Sequence, residues 1–202
     1  MRRQLYLATQ NEHKVAEFQS MLGQSWDVKS ARDLERETGQ DINWEETGQT
    51  FEENSRIKAL ALRRHTRAAV LADDSGLVVD ALGGAPGIYS SRYSGLPEGT
   101  PRTQQDRSNT LKLLENLKNT PDAKRTARFV CCLVFIAEDG AEKVFTGTCE
   151  GLITRAPTGA HGFGYDPVFF VPGQGKTMAE LDDAEKNRIS HRSNAVARFI
   201  AG

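Results

Sequence analysis

The stretch QLYLATQNEHKVAEFQSML, residues 4–22, changes its hydrophobic period partway along, and that change decides the fold class. Residues 4–8 form a short apolar run suited to a buried strand. Val15, Phe18 and Leu22 then recur at three- and four-residue spacing, which gives residues 11–22 one apolar helical face. A strand running straight into a helix is the unit from which α/β proteins are built. Outward from this unit the alternation continues. Residues 26–30 read as a second strand, and residues 33–49 are polar with no resolved period. Thr50 and Glu53 have the spacing of a capping box, followed by a helix expected to reach residue 66 with Ile57, Leu60 and Ala61 inward. Residues 70–72 and 77–80 read as strands on either side of an Asp73-Asp74-Ser75-Gly76 turn. A helix over 103–118, a strand over 128–137, a turn at Asp139-Gly140 and a returning strand over 143–153 follow. A strand over 168–171 and a final helix over 190–200 complete the chain. The expectation is an α/β protein forming a single domain over residues 1–202, in which any second lobe is an excursion within one chain.

With 26 Lys and Arg against 27 Asp and Glu in 202 residues, the formal net charge is −1, which gives no steering toward nucleic acid or an anionic membrane. The longest uncharged apolar run, residues 129–137, is far short of the ~20 residues of a membrane helix. Residues 5–8 are too few for the ~7–15-residue apolar region of a secretory signal, so a cytoplasmic protein is expected. Three cysteines without a Cys-x-x-Cys pair argue for buried free thiols rather than a disulfide framework or structural zinc.

Four stretches carry residue types suited to chemistry. In Asp73-Asp74-Ser75-Gly76 a carboxylate can hold a divalent cation or activate water, although Asp and Gly are also ordinary turn residues. Because neighbouring strand side chains diverge, only one aspartate is expected to face a site. Thr9-Gln10-Asn11-Glu12-His13-Lys14 lies where a strand meets a helix N-terminus, a place that attracts phosphate; Thr9 or Asn11 can equally be a simple N-cap. In His161-Gly162-Phe163-Gly164-Tyr165-Asp166-Pro167, glycines flank aromatics able to stack on a base, or to pack a hairpin loop. Lys186 to Arg192 gathers Ser190, His191 and Arg192 at a predicted helix start, where cations oppose the helix dipole unless they serve an anion or a carbonyl; a solvated charged face is the alternative. Gly173-Gln174-Gly175-Lys176-Thr177 imitates the end of a P-loop but has Phe170 where the first glycine is required, and Thr177 with Glu180 fits a capping box.

Taken in order, Ala8-Thr9-x-Asn11-x-x-Lys14-x-x-Glu17, Glu46-Thr47-Gly48-x-Thr50-Phe51-x-x-Asn54, Ala72-Asp73-Asp74-Ser75-Gly76-Leu77, Phe163-Gly164-Tyr165-Asp166-Pro167 and Ser190-His191-Arg192 resemble the inosine triphosphate pyrophosphatase family. The resemblance runs nearly end to end. It implies a two-lobed α/β fold, with a central mixed sheet, flanking helices and a nucleotide cleft between the lobes, in a homodimer that converts deaminated purine nucleoside triphosphates (ITP, dITP, XTP) to monophosphate and pyrophosphate, with Mg²⁺ as cofactor and no nucleic-acid or membrane partner. Residue by residue it implies that Thr9, Gln10, Asn11, Glu12, His13 and Lys14 cradle the phosphates, and that Glu45 and Asp74 hold the metal. Asp74 is also the implied proton acceptor. Phe163, Gly164, Tyr165, Asp166, Lys186, His191 and Arg192 are implied to hold the base, and Ser75 to contact substrate. Gln10 departs from the small residue common in the phosphate loop. The choice of Glu45 over Glu46 rests on spacing to Gly48. Read from the residues themselves, Lys14 and Lys58 offset charge developing on phosphorus, and Asn54 and Lys58 share a helix face at i and i+4. The alternatives are a purine nucleotide-binding regulatory module that does not hydrolyse its ligand, and a pyrophosphatase for modified pyrimidine nucleotides.

Overall fold

The computed structural model describes residues 2–97 and 99–202, leaving the side chain of His13 outside the description. In chain order the strands and α-helices are β1 (Arg3–Ala8), α1 (Glu12–Leu22), β2 (Trp26–Ser30), α2 (Ala31–Thr38), α3 (Phe51–Arg63), β3 (Ala69–Val79), α4 (Arg102–Asn116), β4 (Thr126–Ile136), β5 (Glu142–Ile153), β6 (Phe169–Val171), β7 (Lys176–Thr177), α5 (Asp183–Ile189) and α6 (His191–Ala201). The strands form one mixed seven-stranded sheet in the order β2-β1-β3-β4-β5-β6-β7. β1 pairs in parallel with β2 and β3, whereas β6 pairs antiparallel with β5 and β7. The expected mixed α/β architecture is therefore present.

Contacts divide the chain into two compact units, one of Met1–Asp74, Cys131–Gly147 and Arg192–Gly202, the other of Ser75–Val130 and Thr148–His191. In the first unit the register Leu5↔Ala69, Tyr6↔Val70, Leu7↔Leu71, Ala8↔Ala72 sorts side chains onto two faces. Leu5, Leu7, Ala69, Leu71 and Leu133 pack with Phe18 and Leu22 of α1 and Ala195, Val196 and Phe199 of α6. Tyr6, Ala8, Val70, Ala72 and Val134 pack with Leu34 of α2 and Ala59 and Leu62 of α3. In the second unit Leu77, Leu113, Leu117, Phe129, Ile153, Phe169 and Met178 build a separate core.

Three local expectations are corrected. No turn separates two strands at residues 73–76: β3 runs unbroken from Ala69 to Val79, because β1 and β4 flank it and its polar side chains find cationic partners. The polar stretch after residue 30 contains α2. Its apolar face is only Ala31 and Leu34, but a capping box between Ser30 and Asp33 starts it and Gly39, at φ 67°, ends it. The final helix is present as α6, but residues 172–189, where no helix was expected, contain α5, started by an Asp182/Glu185 capping box and ended at Ser190, which is extended at ψ 155°. The Thr177/Glu180 box forms as expected. Gly173 to Gly175 turn β6 into β7, with the Gly175 amide on the Val171 carbonyl at 3.1 Å. All three cysteines are free and buried. Among the described residues no helix is long and apolar enough to cross a membrane.

Candidate active site

Strand alternation sends Asp73 and Asp74 to opposite faces of β3. Asp73 joins the face covered by α1 and α6. Its side chain is fully buried; Oδ2 receives Lys14 Nζ at 2.7 Å and Arg192 Nε at 3.4 Å, and Oδ1 receives the Cys131 thiol at 3.3 Å. Arg192, itself 2% exposed, extends a second nitrogen to Glu17. Burial opposes the Arg192 charge, but Asp73 and Glu17 outweigh it and raise its pKa further above the ordinary range.

Asp74 joins the α3 face. Lys58, one turn after Asn54 on α3, places Nζ 2.7 Å from Asp74 Oδ1 and 2.8 Å from Glu46 Oε1. Burial pushes the Asp74 carboxyl above the usual range, an effect that Lys58 partly offsets. For Lys58 burial works against the charge, and the two carboxylates overcome it and hold the ammonium protonated. Asp74 Oδ2 and Asn54 Nδ2 are buried with no hydrogen-bond partner among the described residues. Buried polar atoms are nearly always paired, so two orphans in one cluster point to a ligand. Asn54 spends its other end on the Gly48 amide at 2.8 Å, which pins the loop carrying Glu46 to α3. A Cβ on Gly48 would stand 2.7 Å from Glu53 Cβ and 2.8 Å from Asn54 Oδ1, so only glycine allows that approach. Glu45, the carboxylate favoured from spacing, is exposed, and Glu46 is the one beside Asp74.

At the β1–α1 junction Thr9 is buried and its hydroxyl accepts the Asn11 amide at 3.2 Å, while Asn11 Oδ1 caps Lys14 N at 3.4 Å. Asn11 is thus the N-cap of α1 and Thr9 braces the turn before it, leaving the simple N-cap function and a phosphate cradle compatible. Gln10 is exposed, and exposed Glu12 pairs with Arg32 at 2.8 Å. The role expected of the His13 side chain lies outside the described residues.

In the second unit Asp166 organises a separate group. Its Oδ2 accepts the Phe163 amide and Lys186 Nζ, each at 2.9 Å, and Lys186 Nζ stands 4.7 Å from the Phe163 ring centroid. Gly162, at φ 74°, is required here, because a Cβ would lie 2.1 Å from Asp166 Oδ2. The Gly164 amide donates to Asp106 Oδ2 at 3.2 Å and its carbonyl accepts from Thr110 at 3.3 Å, two α4 residues that no sequence motif marked. Tyr165 is buried with its hydroxyl on the Ser90 carbonyl at 2.9 Å, and the His191 ring stacks on Phe129 at 4.9 Å. Ser75 is half-buried on β3. The structure thus brings Phe163, Asp166 and Lys186 together in one unit, and Lys14, Asp73, Arg192 and Glu17 in the other. Glu17 closes the first of the quoted motifs, but its pairing with Arg192 was not legible in the sequence.

Among the described residues no group of three or more His, Cys, Asp or Glu stands together. Glu46 and Asp74 offer an oxygen-only pair, and Asp74 contributes a spare buried lone pair. That donor set suits a hard cation such as Mg²⁺, which needs only one or two protein carboxylates and completes its shell with water and phosphate.

The model of the Ham1 family matches residues 5–202. A protein of Shouchella clausii named dITP/XTP pyrophosphatase is 47% identical over 194 residues, covering 96% of this chain and 92% of the relative. Another of the same name from Escherichia coli K12 is 48% identical over 197 residues, covering 96% and 94%. The solved structure of the Staphylococcus aureus Ham1 protein superposes with a TM-score of 0.84 at 41% identity, covering 98% of this chain and 97% of that one. A site built on buried, paired charges and a sequence matched almost end to end agree: this chain belongs to the Ham1 family.

Proposed function

We propose that this protein hydrolyses deaminated purine nucleoside triphosphates such as ITP, dITP and XTP to the monophosphate and pyrophosphate. The observation that carries the reading is Asp74, with one oxygen fixed by Lys58 and the other buried and lacking a donor. The names of the bacterial relatives support the substrate class.

The chemistry follows from the residues. Phosphoryl transfer is catalysed mainly by positioning and charge neutralisation, so no covalent nucleophile is needed. Asp74 Oδ2 orients a water and accepts its proton as the water oxygen bonds to the α-phosphorus and the bond from that phosphorus to the bridging oxygen breaks, releasing pyrophosphate; burial makes that carboxylate a stronger base than an exposed aspartate. Lys14 and Lys58 offset the charge that develops on the phosphate oxygens. Glu46 and Asp74 would hold Mg²⁺, which when bound neutralises substrate phosphate charge. Lys186, a donor only, is steadied by Asp166 and suits the acceptor 6-oxo group of hypoxanthine or xanthine. The 6-amino donor of adenine leaves both groups unpaired, a mismatch that can cost roughly 10⁴-fold in discrimination.

The test is pyrophosphate release from ITP, XTP, GTP and ATP, with and without EDTA. Release from ITP and XTP that EDTA abolishes is the expected result. Nucleotide binding without release marks a regulatory module instead, and full turnover in metal-free buffer removes the metal from the reading.

A further inference from the structure

Helix α4 carries Asp106, Thr110 and Leu113 on one side, at i, i+4 and i+7. Leu113 is fully buried in the core of the second unit. Asn109, 1% exposed, accepts the Ser94 amide at 2.7 Å and donates to the Ser90 and Ser91 carbonyls at 3.2 and 3.0 Å, so α4 is a fixed support. From it Asp106 Oδ2 accepts the Gly164 amide at 3.2 Å, and the Thr110 hydroxyl donates to the Gly164 carbonyl at 3.3 Å. Arg102 Nε, one helical turn earlier, holds Asp106 Oδ1 at 3.0 Å and keeps the carboxylate in one orientation. The two peptide planes that flank the Phe163 α-carbon are thus each tied to an aspartate: the one before it donates its N–H to Asp166 at 2.9 Å, and the one after it donates the Gly164 N–H to Asp106. A residue has only two soft backbone dihedrals, so fixing both planes fixes the direction in which the Phe163 ring leaves the chain. Gly164, at φ 64°, is too permissive to hold the second plane by itself.

We propose that Asp106, assisted by Thr110, is a positioning residue that aims the Phe163 ring at the purine base without itself touching the nucleotide. The inference rests on the proposed purine nucleotide substrate, and it deepens that reading by giving base recognition a support on α4, outside the loop that carries the aromatic. Without the Gly164 bond the peptide after Phe163 is free to rotate, and the ring samples directions in which it no longer covers a base. The loss falls on ligands that carry a base. The residues proposed to meet phosphate, Lys14 and the β1–α1 junction, belong to the first unit and keep their own contacts.

Inosine monophosphate, which has the base, and inorganic tripolyphosphate, which has none, separate the two ends of the site. Each is titrated calorimetrically in magnesium buffer into the wild type, Asp106→Ala, Asp106→Asn and Thr110→Val, beside kcat and KM on ITP and hydrogen exchange of the Gly164 amide followed by NMR. Asp106→Ala is expected to weaken inosine monophosphate roughly 10-fold, the equivalent of one charge-assisted hydrogen bond. It should also raise KM for ITP more than it lowers kcat and speed Gly164 exchange, with tripolyphosphate binding unchanged. Asp106→Asn keeps an oxygen acceptor for the Gly164 amide and should restore binding to within about 3-fold of the wild type. Thr110→Val removes only the second hydrogen bond, should weaken inosine monophosphate about 3-fold, and keeps the inference testable if the alanine variant does not fold. Equal losses of inosine monophosphate and tripolyphosphate in Asp106→Ala would reduce Asp106 to a stabiliser of the fold. An asparagine variant as impaired as the alanine one would mean that the charge itself meets the nucleotide, and unchanged inosine monophosphate binding despite fast Gly164 exchange would free the ring from α4; either overturns the positioning role. A wild type that released no pyrophosphate from ITP would remove the proposed function, while the titrations would still decide whether Asp106 aims the ring.

Discussion

Asp73 and Asp74 are joined by one peptide bond, yet their surroundings differ in kind. Asp73 faces α1 and α6, where two cations and a thiol converge on it. Asp74 faces α3, where one ammonium holds one oxygen and the other is left open. The lesson is that tertiary packing can spend one carboxylate fully on partners while leaving its sequence neighbour an open oxygen, the capacity that the proposed base requires.

The sharpest way to break this comparison is to remove each charge in turn. Asp74→Asn is expected to lower kcat by about 10²–10⁴, the range of a lost general base, with the melting temperature changed by only a few degrees. Asp73→Asn should do the reverse. Removing one partner of a buried ionic network costs about 3–5 kcal/mol, which for a chain of this length is a fall of roughly 6–20 °C in melting temperature. Its loss of kcat should be smaller than that of Asp74→Asn and identical for ITP and XTP. Matched kcat losses with unchanged melting curves in both variants would erase the distinction between the two aspartates.

Gly48→Ala probes the Asp74 face indirectly. The added Cβ meets Glu53 Cβ at 2.7 Å and Asn54 Oδ1 at 2.8 Å, so the loop must lift Glu46 from Lys58. A destabilisation of about 1–3 kcal/mol accompanied by a weaker magnesium dependence is expected, and wild-type magnesium titration would separate Glu46 from the metal. The smallest effect concerns the thiols. Burial pushes Cys132 and Cys149 up to about 11 from 9.0, so at pH 8 iodoacetamide should label them slowly in the native protein and rapidly after denaturation. Their folded pKa values exceed the unfolded one. Their contribution to stability is therefore complete below pH 9 and is lost as pH rises through about 11. Rapid native labelling at pH 8 would show that β4 and β5 open far more readily than their burial implies.

Much of the architecture was legible because it rests on local periodicity. Val15, Phe18 and Leu22 marked α1, and the unbroken apolar run beyond Arg128 marked β4. α2 escaped because its apolar face is two residues, and its start depends on a Ser30/Asp33 exchange of hydrogen bonds that polar sequences mimic widely. The strand through Asp73 to Gly76 was hidden by residues that also favour turns. Only partners from other elements make aspartates tolerable in a central strand. Likewise, spacing favoured Glu45 for the metal, but the Gly48–Asn54 bond and the reach of Lys58 bring Glu46 beside Asp74.

The sequence by itself determined the α/β class, the rule that only one of two adjacent strand aspartates faces a given side, and the co-occurrence of motifs that resemble one family. These follow from short-range constraints: 3.6- and 2-residue periods, caps and fixed spacings. Tertiary structure alone decided which aspartate keeps an open oxygen, that Arg192 meets Asp73 and Glu17, and that Lys58 joins Glu46 to Asp74. The physical reason is that charge pairing depends on distance and burial between residues far apart in the chain, up to the 175 positions separating Glu17 from Arg192, and no local pattern encodes that distance.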